Sequence, residues 1–145
     1  MPSHRETFWD NDSFAFVGHT AKKPFPKLSY GELRRQGKKV FAVDASVSSV
    51  LGDRAYPDLA SLPQKVSAVV IEVPREETRQ WVQAAADAGI HHVWIHMLRD
   101  TPEALAIGKQ RGLDVRTGSC AMMYVDQGLS YHAVHRKLDK LLGRY

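Results

Sequence analysis

The chain has 145 residues, 43 % of them hydrophobic and 25 % charged, a size and balance that suit one soluble domain with a core of its own. No apolar run reaches the roughly 20 residues of a membrane helix, and the opening MPSHRETFWDND lacks the apolar stretch of a secretory signal. The net charge is +4, but basic residues are scattered among acidic ones rather than gathered with aromatics, which counts against a nucleic-acid face and favours a small phosphorylated ligand.

SFAFVG reads as a first strand, apolar on both faces and ending at Gly18. Pro24 and Pro26 suit the start of a helix that runs to about Gln36 and stops at Gly37. KKVFAVD is a second strand, and YPDLASLP a turn with a short helical piece. VSAVVIEVP is a third strand, β-branched and ended by Pro74. REETRQWVQAAADAG is a helix with acids in its first turn, where the macrodipole favours them. Trp81, Ala85 and Ala88 recur on it at helical spacing and Gly89 closes it. IHHVWIHM is a fourth strand. DTPEALAIGKQRG is a helix with Asp100 or Thr101 as N-cap, Pro102 in the first turn and Gly112 at the stop. LDVRTGSC gives a fifth strand. Residues 127–145 read as an amphipathic C-terminal helix with Val134, Leu138, Leu141 and Leu142 on one stripe.

Strands alternate with helices, and the central strands are apolar on both faces. That pattern calls for a parallel sheet covered on both sides. The expectation is a single-domain α/β protein: a Rossmann-like, doubly wound, five-stranded parallel sheet in three α/β/α layers.

In such a sheet ligands bind beyond the carboxyl ends of the strands, at the switch point in strand order. The rule selects the stretches after each strand. In the first, a dinucleotide fingerprint would place glycines at 18, 20 and 23, and the chain has Gly18, Thr20 and Lys23. Thr20 carries a side chain where a pyrophosphate approaches closely, and two prolines remove N–H donors, so NAD is disfavoured. Lys22, Lys23 and Lys27 offer phosphate a charge instead; the alternative is a plain solvated loop. Asp44 ends the second strand, where an acid reads a ribose diol in NAD enzymes; Asp is equally a common turn residue there.

His92 and His96 share one face of a strand, but four residues of strand span roughly 13 Å, too far for two ligands about 2 Å from one zinc. No metal site is expected. His96, at the strand's end, is the histidine placed to meet a ligand. Cys120 is the single cysteine, so no intramolecular disulfide forms, which fits a reducing, cytoplasmic setting. It falls near the mouth after the fifth strand. A nucleophilic role would need a base such as His19 or His96 beside it, and most lone cysteines are inert packing residues. The C-terminal helix carries His132, His135, Arg136, Lys137 and Lys140 on its polar face, a surface for a homodimer or an acidic partner, or simply the outside of a helix packed on the sheet.

FAFVGHT, KKVFAVD, YPDLASLP, VSAVVIEVP, AADAGIHHVWIHM and RGLDVRTGSCAMMYV come in the order of the CoA-binding domain family. These are small Rossmann-like proteins similar to the N-terminal domain of the succinyl-CoA synthetase alpha subunit. The resemblance covers about residues 13 to 126, and the ordered set carries it rather than one motif. The family's glycine-then-hydroxyl loop resembles Gly18-His19-Thr20. Its second-strand loop falls on Val43-Asp44-Ala45, without the usual proline. Its Val-Pro matches Val73-Pro74, followed by Arg75, and its Ala-Gly-Ile matches Ala88-Gly89-Ile90. Its Trp-hydrophobic-Gln becomes Trp94-Ile95-His96, and Met97-Leu98-Arg99 stand where a glycine usually follows. Its cysteine is Cys120, with Ala121 where many members have proline.

The resemblance implies CoA or acyl-CoA as the ligand. Its ADP part would lie at Gly18 to Lys23 and Val73 to Arg75, and its pantetheine would run toward His96 and Cys120. The synthetases keep their catalytic histidine in a further domain, so binding without catalysis is expected. An NAD-dependent enzyme and a partner- or DNA-binding scaffold are the alternatives.

Overall fold

The computed structural model describes residues 7–117. After a 3₁₀ turn at Phe8–Asp10 come β1 (Ser13–Val17), α1 (Lys27–Arg35), β2 (Lys39–Val43), β3 (Ser49–Val50), β4 (Asp53–Tyr56), β5 (Ala68–Ile71), α2 (Arg75–Asp87), β6 (His92–Ile95), α3 (Pro102–Gln110) and β7 (Asp114–Arg116). The strands form one seven-stranded sheet in the order β3-β4-β2-β1-β5-β6-β7. Every pairing is parallel except that of β3 with β4. The doubly wound α/β class holds.

The five expected strands are β1, β2, β5, β6 and β7. The count of five is corrected by β3 and β4, a hairpin turned at Leu51 and Gly52 with φ of 49° and 84°. Both values are positive, as the right-handed twist of a two-residue hairpin requires. Leu-Gly lacks the Asn or Asp that marks such a turn in a sequence. Tyr30 on α1 donates its hydroxyl to Asp53 at 2.7 Å, and Arg34 donates to the same oxygen at 2.8 Å, so the helix is bonded to the hairpin.

The short helical piece expected at YPDLASLP is likewise corrected: the segment is irregular. Asp58 accepts from the amide of Ser61 at 2.8 Å, a cap-like bond with no helix after it, and Pro63 cannot donate the backbone bond that a continuing helix needs. The other helices begin and end close to expectation. Thr101 caps α3 by accepting from the amide of Ala104 at 3.1 Å, and Gly89, at φ +74°, stops α2. On α2 the buried stripe is Thr78, Val82 and Ala85; Trp81 lies beside it, half-buried.

The two faces have separate cores. One is aromatic: Phe14 and Phe16 of β1 and Trp94 of β6 meet Tyr30 and Leu33 of α1. The N-terminal turn completes it, since Phe8 is fully buried and its ring centroid lies 5.4 Å from that of Trp94. The other core is aliphatic: Val17, Val69, Ile71, Val93 and Ile95 meet Val82 and Ala85 of α2 and Ala104 of α3. Alternate residues of β1 thus enter opposite cores, which is why the strand reads as uniformly apolar. The expected C-terminal helix and Cys120 lie outside the described residues.

Candidate functional site at the switch point

β1 leads through α1 to β2 on one side, while β5, its other neighbour, starts the opposite half of the sheet. The carboxyl ends of β1 and β5 therefore flank the switch point. Gly18 donates its amide to Val43 at 3.0 Å, and Glu72 donates to Val17 at 2.9 Å, so the ladder continues to the very edge of the crevice.

Gly18 is not among the residues with positive φ. Its lack of a side chain serves packing: a Cβ there would come within 2.5 Å of Phe25 Cδ2. Phe25 folds back against the end of β1 and is buried in the aromatic core. The glycine thus allows close approach of a ring rather than a special backbone turn.

The loop after β1 spends its donors internally. Thr20 gives both its amide, at 2.8 Å, and its hydroxyl, at 2.5 Å, to Asp44 Oδ2. Ala21 donates to Ser46 Oγ at 3.1 Å, and the amides of Lys22 and Lys23 donate to the carbonyl of His19 at 2.9 and 3.0 Å. The amides that a phosphate cradle would present are engaged within the fold.

Asp44 is the hub of that arrangement. It is 1 % exposed. Besides Thr20 it accepts from Ser46, through the amide at 2.8 Å and the hydroxyl at 2.6 Å. Burial alone would raise its carboxyl; the bonds from Ser46 and Thr20 outweigh burial and hold it below the ordinary carboxylate value. Both oxygens are occupied by protein donors, so the side chain fastens the loop after β1 to the loop after β2.

Charges face one another across the crevice. Glu77, in the first turn of α2, reaches the imidazole of His19, whose Nδ1 lies 2.8 and 2.9 Å from its two oxygens. The same carboxylate holds Lys22 Nζ at 3.3 Å. Glu72 holds Lys23 Nζ at 3.3 Å and stands 3.7 Å from His96 Nε2. Burial pushes His96 below the ordinary histidine value; Glu72 opposes that shift, and Lys23 and Arg99 add to it. Among the described residues, His96 Nδ1 and Arg99 Nε are buried without a hydrogen-bond partner.

Val43 and Val73 are fully buried and act as floor. Pro74 is the N-cap residue of α2. Arg75 is exposed, and its guanidinium donates to the carbonyl of Asp100 at 3.1 and 3.3 Å. Thr78 joins α2 to the loop after β6 by donating to the carbonyl of Arg99 at 2.7 Å. In that loop Leu98 is 75 % exposed and has φ of +66°, a conformation that costs a leucine but not a glycine.

Of the residues singled out in the sequence, His19, Lys22, Lys23 and His96 converge on the crevice, with Thr20 and Asp44 bonded beneath them. Glu72, Glu77 and Ser46 were missed. Glu77 reads as an ordinary first-turn acid. Glu72, however, is a lone charge at the end of an apolar strand, and that signal was present. A cavity of about 580 Å³ between the 58–66 segment and the end of α2 lies at the amino end of β5 and is remote from these groups. Among the described residues no group of three or more His, Cys, Asp or Glu is arranged to hold a metal ion, and no helix is long and apolar enough to cross a membrane.

The crystal structure of Prb, the PH1109 protein redesigned for binding, superposes with a TM-score of 0.73 at 25 % identity, over 97 % of this chain and 91 % of that one. A hypothetical protein from Pyrococcus horikoshii OT3 gives 0.72 at 25 % identity, over 83 % and 85 %. The Ca. Korarchaeum cryptofilum dinucleotide forming acetyl-coenzyme A synthetase 1, in complex with phosphate and ADP, gives 0.58 at 20 % identity; 79 % of this chain aligns with 27 % of that larger one, a likeness of fold. No curated protein matches the sequence. The model of the CoA binding domain matches residues 12–126, and the chain belongs to that family.

Proposed function

We propose that this chain is a carrier of CoA or acyl-CoA that performs no chemistry of its own. The observation that supports the reading is a family match spanning the whole crevice-forming part of the chain, together with cationic groups at the switch point. The residues fit such a ligand. Lys22 and Lys23 flank the carboxyl end of β1, and the exposed Arg75 stands at the start of α2; these would meet the phosphates. Buried His96 Nδ1, free of partners among the described residues, would face the pantetheine arm. Thr20 and Asp44 would act beneath the ligand as the fastening of its loop. CoA would supply the thiol or thioester, and the chain's own groups would bind and orient it. Turnover of acetyl-CoA by the isolated protein would refute the non-catalytic part of the proposal.

The test is the thermal stability of the protein with CoA, acetyl-CoA, NAD, NADP, ATP and duplex DNA in parallel. A ligand at about 100 times its dissociation constant stabilises by roughly 2.7 kcal/mol. CoA and acetyl-CoA are expected to raise the melting temperature and NAD is not. A shift with NAD or DNA and none with any CoA species overturns the reading.

A further inference from the structure

We propose that Glu77 and Glu72 are specificity-determining residues: internal carboxylates that already hold Lys22 and Lys23 of the loop after β1, so that a phosphate drawn to those lysines must compete with them. The proposal deepens the CoA reading and rests on it for the ligand.

Three observations carry it. The amides of Thr20, Ala21, Lys22 and Lys23 are all engaged within the fold, so side-chain charge is what these residues have left to offer an anion. That charge is spoken for, Lys22 by Glu77 and Lys23 by Glu72. Finally, the Glu77 carboxylate bridges two elements. Its own helix begins at Arg75, and it crosses to His19 and Lys22 on the loop after β1. A carboxylate at a helix N-terminus, bonded to an imidazole and an ammonium, occupies the place a phosphate would take.

Both glutamates are only 15 % exposed at their side chains, so solvent does not fully screen them from an arriving anion. The phosphate gains the lysines by breaking their pairs and then sits beside the displaced carboxylates. The consequence is selection against ligands that bring charge alone. A ligand that also brings adenine and pantetheine contacts tolerates the competition; free pyrophosphate does not.

The experiment compares Glu77→Gln, Glu72→Gln and the control Glu76→Gln by calorimetric titration with CoA and with inorganic pyrophosphate. Glutamine retains a hydrogen-bonding oxygen for His19 but no charge. Glu76 is an exposed neighbour in the same first turn, so its variant changes net charge equally without touching the lysines. Glu77→Gln and Glu72→Gln are each expected to tighten CoA about 10-fold and to make pyrophosphate binding measurable, a gain of about 1.4 kcal/mol; Glu76→Gln is expected to change either by less than about 2-fold. A wild type that binds CoA, with Gln variants equal to it or weaker, overturns the inference and leaves the CoA reading intact. A silent wild type with a binding Glu77→Gln variant upholds the inference and refutes the CoA reading. Failure of every protein to bind either probe sinks both.

Discussion

Asp44 takes both the amide and the hydroxyl of Thr20 on one carboxylate oxygen, at 2.8 and 2.5 Å. The acid that ends β2 is thereby turned away from ligand chemistry and toward the shape of the loop. Its other oxygen does the same for Ser46. Replacing Asp44 by Ala removes the buried acceptor that the amides and hydroxyls of Thr20 and Ser46 share. A loss of about 3 kcal/mol in unfolding free energy is expected, since hydrogen bonds to a charged group are worth about 1.5–3 kcal/mol each and do not add fully. Urea titration checks it; a loss under about 0.5 kcal/mol would show that the carboxylate is not the fastening.

The same group sets an acid limit. The folded carboxyl lies below its unfolded value, so its contribution is present above the unfolded value near pH 3.9 and is lost as pH falls through the folded value. His96 is also lowered, with a different window. The unfolded chain takes up a proton near pH 6.5 that the buried imidazole resists, so stability falls from about pH 6.5 downward. Stability measured from pH 8 to 4.5 should therefore decline, and His96→Gln should flatten that decline. An unchanged slope in the variant would assign the loss to other groups.

Gly18 lies against Phe25, with room for a hydrogen and not for a methyl. Gly18→Ala is expected to destabilise by about 1–3 kcal/mol through overpacking. The penalty should shrink when Phe25 is first changed to Leu. Equal penalties in both backgrounds, read from a double-mutant cycle, would contradict steric conflict as the cause.

Leu98 presents the opposite case. Its φ of +66° costs a branched residue roughly 1–2 kcal/mol, and glycine removes that cost while giving back part of it as unfolded-chain entropy. Leu98→Gly should leave the protein as stable as before or stabilise it by up to about 1 kcal/mol, measured by thermal unfolding. Destabilisation by more than about 1 kcal/mol would mean that the exposed side chain contributes packing.

Much of the fold was legible because its strands bury both faces. Runs such as Ala68–Ile71, buried at every position, announce a central parallel strand without periodicity. The capping signals of α3, Thr101 and Pro102, were read from residue type alone. The β3–β4 hairpin was illegible because its strands are short and its turn is Leu-Gly. The N-terminal turn was overlooked because two adjacent aromatics show no period, although Phe8 and Trp9 close the aromatic core. At the site, residue types located the loop but not its commitments. Whether a lysine faces solvent or a glutamate 55 positions away depends on how α2 is set against β1, which no local pattern encodes. The same limit applies to Thr20: it reads as the hydroxyl of a glycine-then-hydroxyl loop, and its partner proves to be Asp44.

The most direct measurement of the central claim is the affinity of the unmodified protein for CoA by isothermal titration calorimetry, with NAD as the parallel ligand. The account predicts saturable binding of one CoA per chain, weakening as salt is raised because lysines meet its phosphates, and no binding of NAD. Absence of heat with CoA and acetyl-CoA, or a tighter association with NAD, would contradict it.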